Sequence, residues 1–440
     1  MQTNFALNKT RDWLYLAIIL ALIFRFFYGF IMHPFDHLYS DPDRHYTNVN
    51  DENFGKSIYS ILDSPLPQFW LKAVFFVLGN TTVGASVYLG LLSVVMPWFW
   101  YRWGRELFKK KDTALILCAA IAWLPSWIGI YSFFMDETLS IIALGASLWL
   151  SWRAKRKQTL GSLVIAAIAW SIAMCIKQIV MFELIIIMPW LLISYLKHHG
   201  RNLKSYAAVF AASSIIICAY LTYPLWVYIG LGSTWLLSPA MGCMTRAYYL
   251  SGALSQSATF LTHGTLIWQT GHFGSNAMCT ESLSPFWNWK TWRVGSYNLV
   301  INLDRPVYLA MPTPHPPWPK RLLLFAESIL YFFFSRSWPD DRSDDWVQII
   351  QINLRWLWSI LPLSILIIGM RKKLLKEMPV VLCLGTALLY VTCDCSTLEG
   401  RYRKPWEGTA IAAFIYVLTE PKKTGRKLST NKDNQPVQPT

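Results

Sequence analysis

Three acids, Asp36, Asp41 and Asp43, fall within eight residues of the stretch HPFDHLYSDPDRHYTNV. Carboxylates so spaced beside an apolar run can take the proton of a hydroxyl nucleophile or hold a divalent metal, although Asp-Pro-Asp is also ordinary turn chemistry in a solvated loop. His33 and His37 have the i, i+4 spacing of a helical metal pair, with Pro34 between them arguing against a continuing helix. A second acidic pair, Asp136 and Glu137, stands just ahead of another apolar run, where carboxylates also complement the positive end of a helix. Lys177 interrupts two apolar runs; a cation in that position either snorkels to lipid headgroups or meets a phosphate. The stretch CDCSTLEGRYRKPWEG sets Arg401, Arg403 and Lys404 around Tyr402, and the guanidinium fork suits phosphate.

The elements that must position these residues are membrane helices. Of 440 residues 54% are apolar and only 15% charged, and nearly uncharged stretches alternate with short Lys/Arg clusters, the pattern of a polytopic helical protein. Candidate spans run over 13–31, 84–101, 113–131, 138–152, 160–176, 180–196, 206–222, 350–370, 379–393 and 406–419. The net charge of +15 is spread over six short loops, around Arg11, Arg105, Arg156, Arg201, Arg371 and Arg426, so it reads as positive-inside topology and not as a nucleic-acid surface. With all six loops cytoplasmic, the spans are even in number and both termini lie inside. Leu322 to Phe334 is then an interfacial or re-entrant helix, or it crosses with a compensating span after Leu221. The acids of the first loop, Asp136, Glu137, Lys177 and the cations from Arg401 to Lys404 all fall on the outer side.

The first apolar run lacks a cleavage site and is expected to remain as a span. Cys118, Cys175, Cys218 and Cys383 read as small hydrophobes within apolar runs, while Cys243 with Cys279, and Cys393 with Cys395, sit where an oxidising compartment could bridge them. The chain divides into an N-terminal membrane module (1–222) with its first outer loop 32–83, an outer segment with the interfacial helix (223–349), C-terminal spans (350–420) and a disordered cytoplasmic tail (421–440). The part 223–320 lacks clear periodicity and reads as irregular structure over the bundle.

The ordered set of segments resembles the GT-C glycosyltransferases, multi-span enzymes that use polyprenyl-phosphate sugars and include the protein O-mannosyltransferases and the lipid A aminoarabinose transferase. The matching pieces are the acidic first loop with Asp41, Asp43 and Tyr46, the juxtamembrane stretch SPLPQFWLKAVFFVLG, RWGRELFKKK, the run from Pro125 to Glu137, Lys177 and EGRYRKP. The resemblance covers residues 10–420 in order, each piece being degenerate. It implies an all-α transmembrane bundle of roughly 10 to 12 spans with outer-face juxtamembrane helices. It implies sugar transfer from a polyprenyl-phosphate donor to a lipid, glycan or protein acceptor, outside a bacterial inner membrane, by one inverting displacement. It also implies a first-loop aspartate as base, Asp43 ahead of Asp41, and donor phosphate near Lys177, Arg401, Tyr402 and Arg403. Asp136 and Glu137 form a second acidic site. No cofactor is required by this reading beyond a possible divalent metal; membrane lipids are partners and nucleic acid is not. Two rivals make different demands. An O-antigen polymerase or ligase would depend on Arg246 and Arg293, and a lipid or solute transporter on mid-membrane charges, discontinuous helices and repeats.

Overall fold

The computed structural model describes residues 2–38, 40–51, 64–231, 289–294, 297–302, 308–312, 329, 332–333, 350, 357–392 and 403–422. Within the described residues, each of the ten apolar stretches is mostly helix. They are α1 (Gln2–Ile31), α4 (Thr82–Leu107), the pair α5 (Lys111–Ala122) and α6 (Pro125–Gly129), α7 (Glu137–Lys157), α8 (Leu160–Ile176), α9 (Met181–His199), α10 (Leu203–Leu231), α11 (Leu357–Lys372), α12 (Met378–Thr392) and α13 (Lys404–Thr419). Two helices lie in the first outer segment, α2 (Ser40–Asn50) and α3 (Pro65–Leu78). Four helical stretches are long and apolar enough to cross a membrane, Thr10–Ile31, Thr82–Leu107, Met181–His199 and Leu203–Thr222, and the bent pair α5–α6 makes a fifth. The expected ten to twelve crossings are therefore not established by helix length, because α8 and α13 have only 17 and 16 residues.

Contacts between helix ends nevertheless put the basic clusters together. Arg11 on α1 meets Asp112 on α5 at 2.9 Å, Arg156 on α7 meets Glu106 on α4 at 2.9 Å, and Lys109 meets Glu420 after α13 at 3.4 Å. Lys372 at the end of α11 donates to the carbonyls of Leu418 and Glu420. Successive helices thus run alternately away from and toward this basic end. Loops joining the other ends carry the acids and the remaining cations.

Two local features shape that other end. Pro125 has no N–H to offer the Ile121 carbonyl, so the helix breaks there and α6 turns away by 60°. Arg25, buried on α1, supplies the missing donors: its guanidinium bonds to Ile121 O at 3.0 Å, Ala122 O at 2.6 Å, Trp127 O at 3.0 Å and Ser93 Oγ at 3.0 Å. The second feature is close approach. Gly145 on α7 and Gly408 on α13 lie against the buried Trp100 ring, where any Cβ would fall inside contact distance. Small residues are what let helices approach in lipid, where no hydrophobic force draws them together.

Beyond the helices, residues 289–312 form a three-stranded antiparallel meander, β1 (Trp289–Val294), β2 (Tyr297–Asn302) and β3 (Tyr308–Pro312). This differs from the irregular structure expected for 223–320. The pairing Val294↔Tyr297 leaves two residues between strands, and Gly295 and Ser296 are the kind that a two-residue hairpin favours. Arg293 lies on β1, while Arg246, Cys243, Cys279, Cys393 and Cys395 lie outside the described residues, as does most of Leu322 to Phe334.

Candidate active site

The first acidic stretch is helical and not an open loop, because Pro42 falls in the first turn of α2, where its missing N–H costs nothing. Pro42, His45, Asn48 and Val49 are buried, a helical face that docks α2 on the bundle, while Asp43 on the opposite side is exposed. Its carboxylate accepts a long bond from Thr47 Oγ1, 3.4 Å. Asp41 shares the first turn of α2. Tyr46 stacks on Phe134, meets Phe35 and Phe75 edge-on, and accepts a bond from Asn80. His33 Nδ1 accepts from Phe35 N, and Nε2 faces Thr82 O at 3.2 Å, while the His37 side chain lies outside the described residues. Among the described residues no three His, Cys, Asp or Glu side chains converge.

The docked face of α2 opens on a recess with about 350 Å³ of empty space, solvent at its mouth included. His45, Gln68, Tyr88, Asp136 and Thr138 supply its polar walls and Phe134 an aromatic one. His45 Nδ1 lies 4.0 Å from Asp136 Oδ1, with both side chains largely buried. Asp136 stands at the N-cap of α7 and lines the recess. His45 escaped the reading of the sequence, although the buried face of α2 carries a visible helical period through it.

Glu137, the next residue, points elsewhere. It is 1% exposed and pairs closely with Lys177, which follows the last turn of α8. Lys177 is therefore half of an ion pair, itself part-buried against the fully buried Glu137. Lys404 lies within electrostatic reach of both and donates to Ser126 O at 2.8 Å. Glu407, one turn into α13, gathers the rest: it accepts from Arg403 Nε at 3.2 Å, Ser126 Oγ at 3.0 Å and Trp127 Nε1 at 3.0 Å. Arg403 also donates to the Phe332 carbonyl and covers the Trp358 ring. At 1% exposure it braces α13 from inside. Arg401 and Tyr402 lie outside the described residues. Glu407 was not expected as a partner of Ser126 and Trp127, since it lies in a different span, 281 residues after Ser126.

The Lys177–Glu137 pair has a measurable signature. Lys177→Met leaves a buried carboxylate without its cation and is expected to cost about 1.5–3 kcal/mol of stability. Adding Glu137→Gln should restore most of it, because removing both charges removes the penalty. Thermal unfolding of the single and double variants in detergent reads this coupling; equal midpoints for both would show that the pair does not hold α7 to α8.

Asp136 and Glu137 are adjacent, so the hydroxyl-bearing recess and the cationic cluster border one another at the end of the bundle away from the basic loops. The chain matches no curated protein. Its residues 63–226, which include Asp136, Glu137 and Lys177, match the family model described as dolichyl-phosphate-mannose-protein mannosyltransferase. The match covers neither α2 nor the helices after α10, and within those bounds this apolar, helical membrane chain is similar to glycosyltransferases of the GT-C type.

Proposed function

We propose that the protein transfers a sugar from a polyprenyl-phosphate donor to a lipid, glycan or protein acceptor at the bundle end opposite its basic clusters. That end faces outward from a bacterial inner membrane, with both chain termini in the cytoplasm. The observation that carries this reading is a polar recess lined by Asp136 next to Glu137, the partner of the part-buried Lys177 and within electrostatic reach of the buried Lys404, at the same end as the acids of α2. A carboxylate there activates the acceptor hydroxyl while cationic groups take up charge on the departing lipid phosphate. Asp43, exposed on α2, is the base, with Asp41 as its neighbour; Lys177, Arg401 and Tyr402 meet the phosphate, and Arg403 holds the segment that presents them. The exposure of Asp43 suits a base that must meet an incoming acceptor.

The test is direct. Purified protein in nanodiscs, given a polyprenyl-phosphate sugar and a membrane extract as acceptor source, should release polyprenyl phosphate and label an acceptor with the sugar. Release should stop in heat-treated protein. A protein that moves the intact donor between leaflets without breaking its C1–O bond would overturn the reading and make the chain a transporter.

A further inference from the structure

We propose that the recess between His45 and Asp136 is the subsite for the hydroxyl groups of the donor's sugar ring, an inference that rests on the polyprenyl-phosphate sugar reading. A sugar phosphate is bipartite, with a doubly polar ring rich in hydroxyls on one side of C1 and an anion on the other. The site is bipartite in the same way over two consecutive residues. Asp136 turns its carboxylate into the recess, whereas Glu137 turns to Lys177. A phosphate is repelled from a wall made by a carboxylate and drawn to the cations. A hydroxyl, in contrast, donates to that carboxylate and accepts from an imidazole N–H.

The spacing fits one hydroxyl oxygen. Nδ1 and Oδ1 stand 4.0 Å apart, too far for a direct hydrogen bond. An oxygen about 2.8 Å from each would see them at roughly 90°, close to what an sp³ oxygen offers one donor and one acceptor. Gln68 and Thr138, both 2% exposed, add amide and hydroxyl groups to the same walls, and Phe134 gives an apolar surface for a C–H face of the ring. Few, convergent polar groups against an apolar wall are the usual make-up of a small-molecule site. Because His45 lies on the buried face of α2 and Asp43 on its exposed face, the subsite determines which sugar is held and leaves the reacting hydroxyl to Asp43.

The experiment measures steady-state transfer with polyprenyl-phosphate mannose first and then other polyprenyl-phosphate hexoses, together with monodeoxy analogues of whichever is used. His45→Leu and Asp136→Asn should each raise the donor KM about 10- to 100-fold, the loss of one charge-assisted contact, with kcat changed less than about threefold. His45→Asn keeps a donor at the δ position and should stay within about threefold of the parent KM. One deoxy donor should lose the same factor with the parent protein and lose nothing further with Asp136→Asn. If Leu and Asn at position 45 behave alike, or every deoxy donor suffers equally in parent and variants, the subsite assignment fails while transfer stands. If the parent protein transfers no sugar from any such donor, the functional reading fails and the subsite with it.

Discussion

Glu407→Ala protein is expected to accumulate poorly and, where it does, to unfold far below the parent. The carboxylate is fully buried and accepts three bonds, from Arg403, Ser126 and Trp127. Its removal strands a guanidinium that is 1% exposed beside a hydroxyl and an indole N–H. Breaking one side of a buried ion pair costs about 3–5 kcal/mol, a large share of the 5–15 kcal/mol that typically separates folded from unfolded chains. Glu407→Gln keeps an acceptor for Ser126 or Trp127 and loses the charge, so it should fall between. The loss is also directional: Glu407 joins the start of α13 to α6, so limited proteolysis should open the bundle there first. Thermal unfolding in detergent decides the matter, and an Ala variant melting within about 2 °C of the parent would mean that packing alone holds this junction.

The second large effect is on turnover. Asp43→Asn should lower kcat by about 10²–10⁴, the usual contribution of a positioned general base, while donor binding and thermal stability stay near the parent values. Exposure makes this separation clean, because an exposed side chain that takes a long bond from Thr47 contributes little to folding. Asp41→Asn should be the milder change. Single-turnover measurement with saturating donor reports the chemical step, and a double Asp41/Asp43 variant that still turns over within threefold of the parent would remove α2 acids from the reaction.

The helices were legible in the sequence because each is a run of apolar residues closed by charge, and within the described residues all ten stretches are mostly helical. Charge partners were not. Glu137 and Lys177 are 40 residues apart and Ser126 and Glu407 are 281 apart, and no local pattern says which span lies beside which. What the sequence does show is that an ionisable residue inside an apolar run needs a partner. Applied to Arg25, Glu183 and Glu407, that rule would have marked all three, which are fully or almost fully buried. His45 was hidden differently: the acids beside it drew attention to the polar face of α2, while the imidazole belongs to the docked one. The strands at 289–312 were missed because Lys290, Arg293 and Asn298 interrupt the apolar period that a helical or strand reading relies on.

Arg25 also sets an order of assembly. All four of its hydrogen-bond acceptors are made later in synthesis: Ser93 comes 68 residues after it, Ala122 97 and Trp127 102. During translation the first span therefore reaches the bilayer with a guanidinium that the rest of the chain has yet to surround, a placement that costs about 2.5–3.5 kcal/mol at a helix centre. The segment through α6 is the shortest nascent chain that can shelter it. A chain cut before Ser93 holds none of these acceptors and is expected to insert its first helix less completely than one that extends through Trp127, a difference that glycosylation-site mapping of the two truncations reads.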